Sequence, residues 1–146
     1  MGVTVTNGQY RALAELRYRI RHFTRDGDAA AQRSGLEPQQ YLMLLAIRGL
    51  PQGAAATIRT LAERLALKHH SAVELIDRME RHGLVRRRRD STDRREVLVY
   101  LRPRGARLLQ HVAQKRLGEL RASGAALANA IQALVSGARR VRPRNP

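Results

Sequence analysis

The 146-residue sequence is predicted to be mainly α-helical, of the α+β class, on three observations. Apolar residues recur at three- and four-residue spacing along most of the chain, which is the helical period. One short segment, Val97, Val99 and Leu101, alternates at period two, as a strand does. Hydrophobic residues make up 43% of the chain, enough to build a core.

The elements follow in order. Residues 9–25 place Leu13, Leu16, Ile20 and Phe23 on one helical stripe, with Arg17, Arg19 and Arg21 off it. The segment 26–35, DGDAAAQRSG, is expected to break that helix. A second helix opens at Pro38, whose fixed φ suits a first turn, and Gly49, Pro51 and Gly53 end it. Thr57 is a natural N-cap for a short helix carrying Ile58, Leu61, Ala62 and Leu65. A fourth helix over 68–82 buries Ala72, Leu75, Ile76 and Met79, and Gly83 stands where a C-terminal cap belongs. Residues 84–89 and 94–101 then read as a β-hairpin about the polar turn Asp90, Ser91, Thr92, Asp93. A further helix is expected over 104–122, an interruption at Ser123 and Gly124, and an Ala-rich helix over 125–138. Residues 139–146 are expected to form a loose basic tail.

Two short helices followed by an arginine-tipped hairpin, within 38–101, make a winged helix-turn-helix with its wing at 86–96. The first helix of the pair braces the second, and the second suits a DNA major groove about 12 Å wide. Lys68, His69, His70 and Ser71 form a polar first turn, with Glu74 one turn on; these types exchange hydrogen bonds with base edges or donate to phosphate. Arg78 and Arg81 are expected to face the flanking backbone. Alternation sends two of the arginines 86–89 to each face of the hairpin, where they either contact phosphate or are solvated; Arg88 is taken as the phosphate contact. Arg94 and Arg95 are the wing-tip candidates. Asp90 and Asp93 are expected to be structural, holding the turn or an arginine guanidinium.

Composition agrees with this reading. With 28 Lys+Arg against 12 Asp+Glu the formal net charge is +16, which favours a polyanion, nucleic acid first and an acidic membrane surface second. Residues 68–104 hold 11 basic and 6 acidic side chains, so most of the excess lies elsewhere. The absence of cysteine excludes disulfides, thiolate metal sites and cysteine nucleophiles. His69 and His70 point about 100° apart on a helix and do not share one metal ion. No phosphate loop, metal-spacing motif or nucleophile motif occurs, so neither enzyme activity nor a cofactor is expected. No apolar run approaches the ~20 residues of a membrane span, and the first residues do not read as a secretory signal; a cytoplasmic location away from the membrane is expected.

The strings TIRTLAERLALKHHSAVELIDRMERHGLVRR, DSTDRREVLVYL and RPRGARLL resemble the MarR (multiple antibiotic resistance regulator) family of bacterial transcription factors over residues 10–135. The resemblance implies one domain spanning 1–146. It implies a homodimer built by the terminal helices 9–25 and 104–138, and a pseudo-palindromic double-stranded DNA operator. The regulator it implies is most often a repressor. It assigns the minor-groove arginine to Arg94, then Arg95, and the base contacts to Lys68, His69, His70, Ser71 and Glu74. The chain departs from the family at the helix cap, where many members have Ser or Thr at Lys68 and Pro at His69. Many members bind phenolic or other aromatic acids and release DNA; Arg17, His22, Tyr41 and His111 are the candidates to line such a site. The rival reading is a winged-helix protein-interaction scaffold with nonspecific nucleic-acid affinity.

Overall fold

The computed structural model describes residue 2 and residues 4–137, so the basic tail lies outside the described residues. The elements are α1 (Asn7–Arg33), α2 (Pro38–Arg48), α3 (Ile58–Arg64), α4 (His69–Arg81), β1 (Val85–Arg89), β2 (Val97–Leu101) and α5 (Pro103–Gly137). They group into two compact units. One takes α1 up to Gly27 and α5 from Lys115 onward; the other spans Asp28–Gln114.

In the second unit a single apolar cluster joins every element. It runs from Ala30 and Ala31 through Met43, Leu44, Leu61, Leu75, Ile76 and Met79 to Val85, Val99 and Val112. The expected inner stripe of α4 is fully inside, with Ala72, Leu75, Ile76 and Met79 all at 0–1% exposure. Burying each larger side chain stabilises the fold by about 1.5–3 kcal/mol. Local signals set the helix ends. The Thr57 hydroxyl accepts the Thr60 N–H at 3.1 Å and caps α3. Gly83, at φ +70°, ends α4; its N–H bonds to the Glu80 carbonyl and that of Leu84 to the Met79 carbonyl, each at 2.9 Å.

The hairpin pairs β1 with β2 antiparallel, from Val85 opposite Leu101 to Arg89 opposite Val97. A contact not foreseen from the sequence completes it. Thr57 bridges Leu98, and the Val99 N–H bonds to the Ala56 carbonyl at 2.9 Å, so the lead-in to α3 is tied to β2 by a one-residue bridge.

Two helix boundaries differ from expectation. The helix expected over 9–25 does not break at Asp26 but continues to Arg33. Gly27 is buried in the first unit, where a Cβ would press against the Arg116 guanidinium at 3.3 Å. The glycine makes room for a tertiary contact rather than ending the helix. Nor do Ser123 and Gly124 divide α5, which runs unbroken to Gly137. The Ser123 hydroxyl donates back to the Glu119 carbonyl at 2.9 Å, and the flanking alanines carry the ~1 kcal/mol cost of a helical glycine.

Candidate nucleic-acid interface

Helix α4 is positioned by its buried stripe, which leaves the first turn outside. Lys68 is its N-cap, with φ −66° and ψ 150°, and makes no side-chain capping bond. Lysine has no acceptor to offer, so the N–H groups of that turn remain available to an outside acceptor at the positive end of the helix. Lys68, His69, His70 and Glu74 are exposed and Ser71 is half-buried. Arg78 is not free: its Nη2 donates to Glu37 Oε2 at 3.2 Å, tying α4 to the start of α2. Arg81 is exposed at the other end of the helix.

The arginines of the hairpin divide into anchored and free groups. Arg87 lies on the face of buried Val85, two residues before it, and reaches α4: it meets Asp77 at 2.5 Å and Glu80 at 2.7 Å, and its backbone N–H also bonds to Glu80 at 3.1 Å. Burial acts to lower the Arg87 pKa, but the hydrogen bonds and charges of Asp77 and Glu80 outweigh it and the net direction is upward. Sequence reasoning missed this clamp, although the burial of Val85 marked the inward face. Arg89 Nη1 donates to the Arg94 carbonyl at 3.0 Å, across the wing loop. The Arg86 guanidinium lies 6.0 Å from the centre of the Tyr100 ring. Arg88, Arg94 and Arg95 are exposed, and their side chains have no partner among the described residues.

The turn itself is built by its two aspartates. Asp90 Oδ1 accepts both the backbone N–H and the hydroxyl of Thr92 at 3.0 Å. Those two bonds hold the Asp90 carboxyl below its ordinary pKa. Asp93 Oδ1 accepts the Arg95 N–H at 3.0 Å, a backbone contact rather than the guanidinium contact considered from the sequence. The wing loop is therefore shaped by hydrogen bonds accepted by its two aspartates, which leaves Arg94 and Arg95 exposed.

The four effector candidates do not gather within either unit. Arg17 and His22 belong to the first unit, Tyr41 and His111 to the second. Tyr41 is a core residue at 8% exposure, whereas Arg17 and His111 are exposed. His22 lines a cavity of about 240 Å³ in the first unit with Tyr18, Phe23, Arg116 and Leu120. Arg116, 7% exposed, forms its floor, donating to the Phe23 carbonyl at 2.8 Å and pairing with Glu119. Among the described residues no group of three His, Asp or Glu side chains is placed to hold a metal, and no helix is long and apolar enough to cross a membrane.

Known proteins share this arrangement. The sequence profile of the MarR family matches residues 34–96, from the start of α2 into the wing. The HTH-type transcriptional regulator YsmB of Bacillus subtilis is 30% identical over 121 residues, covering 80% of this chain and 81% of that one. A MarR family protein from Bacillus stearothermophilus superposes with a TM-score of 0.66 at 28% identity, over 80% of each chain. AbsC of Streptomyces coelicolor, a MarR family regulator, shares the fold with a TM-score of 0.70 at 23% identity, over 82% of this chain and 80% of its own. A mutant S. aureus MepR bound to an oligodeoxyribonucleotide shares it with a TM-score of 0.62 at 17% identity, over 93% and 100%. Fold, wing and sequence agree, and the chain belongs to the MarR family of transcriptional regulators.

Proposed function

We propose that this chain is a homodimeric repressor that reads a pseudo-palindromic double-stranded DNA operator and is released by a small aromatic acid. The observation that carries the DNA reading is the division of the hairpin arginines. Arg87 and Arg89 fix the wing, and Arg88, Arg94 and Arg95 are left without protein partners. Free guanidinium groups on a braced loop, together with an uncapped helix N-terminus, match a phosphate backbone and a narrow minor groove. In this mechanism α4 enters the major groove, with Lys68, His69, His70, Ser71 and Glu74 toward the bases. Arg94 follows the adjacent minor groove, and Arg88 and Arg95 contact phosphate. MepR, a relative in fold, was solved with an oligodeoxyribonucleotide.

The dimer reading rests on apolar side chains left outside the first unit. Leu13, Phe23, Leu117, Ile131 and Val135 are 40–60% exposed on α1 and α5. Exposed apolar side chains of this kind, on two helices of one unit, support an interface there. A two-fold pair would set two α4 helices about one DNA turn apart, ~34 Å. The cavity beside His22 and Tyr18 supports the effector reading, since it offers aromatic faces to an aromatic ligand; its buried Arg116 is already paired with Glu119.

Selection of bound duplexes from a random pool tests the function. A two-fold symmetric sequence with half-sites one turn apart is expected; recovery of unrelated sequences would favour the interaction-scaffold reading. Competition of the selected duplex with salicylate-like acids tests release, and unchanged DNA affinity would remove the effector from the account.

A further inference from the structure

Helix α1 carries a second basic surface that the reading head does not use. At about 100° per residue, Arg11, Arg17, Arg21 and Arg25 fall within a sector of about 120° on one side of the helix. All four are exposed, and none has a partner among the described residues. Glu15 and Asp26 of α1 lie outside this sector. Glu15 is taken by Arg19 at 2.7 Å, and Asp26 belongs to the rim of the cavity beside His22. Asp28, one turn beyond Arg25, is half-buried and makes no ion pair with it. The apolar stripe Leu13, Leu16, Ile20 and Phe23 is centred well round the helix from the arginines, so a partner helix seated on that stripe leaves the basic sector open.

Arg17, Arg21 and Arg25 are successive neighbours four residues apart. Like charges at that spacing oppose each other and weaken the helix. Among the described residues no side chain pairs with them, and a ligand of opposite charge is a compensation the geometry admits. Four guanidinium groups over about 21 Å of helix, at about 1.5 Å per residue, are matched by a polymer of regularly spaced anions. One DNA strand presents a charge every 3.4 Å of axis, so about six phosphates span this length.

We infer that this face of α1 binds the phosphate backbone of double-stranded DNA, independently of sequence and in addition to the contacts of α4 and the wing. The surface supplies nonspecific affinity and a salt-dependent contact to DNA outside the operator. It also accounts for part of the positive charge that the helix-turn-helix does not carry.

The test uses the full-length protein and a long random-sequence duplex, with affinity measured by fluorescence anisotropy against KCl concentration. Three variants are compared with the natural protein: the triple variant Arg17→Gln, Arg21→Gln, Arg25→Gln; Arg94→Ala; and a control triple, Arg48→Gln, Arg64→Gln, Arg107→Gln, which removes the same charge from exposed positions. Circular dichroism melts confirm that each is folded. The α1 triple is expected to reduce the slope of log affinity against log salt by about 2–3, additively with the loss from Arg94→Ala. The control is expected to change it by less than 1. An unchanged slope for the α1 triple, or an equal change in the control, would overturn the inference without touching the α4 and wing assignment. Loss of binding to phosphatidylserine vesicles with an unchanged DNA slope would assign the face to a membrane and equally overturn it.

Discussion

Ala66 holds φ at +52° in the turn between α3 and α4, a conformation in which a Cβ crowds the backbone. Its N–H bonds to the Glu63 carbonyl and that of Leu67 to the Ala62 carbonyl, so the turn is well bonded around a strained residue. Ala66→Gly is therefore expected to raise stability by roughly 0.5–1 kcal/mol, read from the urea midpoint; a lower midpoint would show that the turn tolerates the Cβ without cost. Asp90 acts in the opposite sense, through its charge. Its pKa is lowered in the folded wing by the two Thr92 bonds, so its contribution is present above the ordinary carboxylate value of about 3.9 and is lost as pH falls below it. The Thr92 amide resonance is expected to titrate with a midpoint below that value. A midpoint at or above it would contradict the bonded turn. Lys68 was legible as a departure from the family's helix cap, and the bare N-terminus of α4 is its structural consequence.

At the scale of elements, the wing is held at its base and along its inward face. Gly105, in the first turn of α5, packs so closely on the residue before β1 that an added Cβ would collide with the Leu84 carbonyl oxygen. Neither backbone can yield without losing the Arg102 N–H bond to that same oxygen, at 2.9 Å. Gly105→Ala is expected to destabilise the protein by about 1–3 kcal/mol in chemical unfolding, despite alanine's higher helix propensity. Arg87→Ala removes the clamp to Asp77 and Glu80. With its side chain 32% exposed, the expected loss is about 1 kcal/mol after screening. Helices with a clear apolar stripe and a local cap, α2, α3 and α4, could be read from the chain because their ends depend on adjacent residues. The far end of α1, the continuity of α5 and the bridge from Thr57 to Leu98 could not. Gly27 is decided by Arg116, distant in sequence, and a one-residue bridge leaves no periodicity. In the site, the wing arginines were legible as a group, but which were free depended on Asp77, Glu80 and the Arg94 carbonyl.

For the whole molecule, the excess charge and the exposed apolar surface describe two different kinds of association. In the proposed dimer, the apolar residues of α1 and α5 face a second copy of the chain. Leu117→Glu, at a position 51% exposed, is expected to shift sedimentation from dimer to monomer and to weaken operator binding at least tenfold. An unchanged mass would move the dimer interface elsewhere. The net charge of +16 favours attraction to any DNA, whereas in the proposed function preference for one sequence rests on a few groups at the start of α4. The most direct measurement compares the natural protein with Arg94→Ala and Glu74→Ala on the selected duplex and a scrambled one, across a salt series. Arg94→Ala is expected to weaken binding to both duplexes and to reduce the salt slope by about one, whereas Glu74→Ala changes the ratio between them by about 1–3 kcal/mol. If Arg94→Ala leaves affinity and salt slope unaltered, and Glu74→Ala leaves the preference unaltered, α4 and the wing are not the DNA-reading surface.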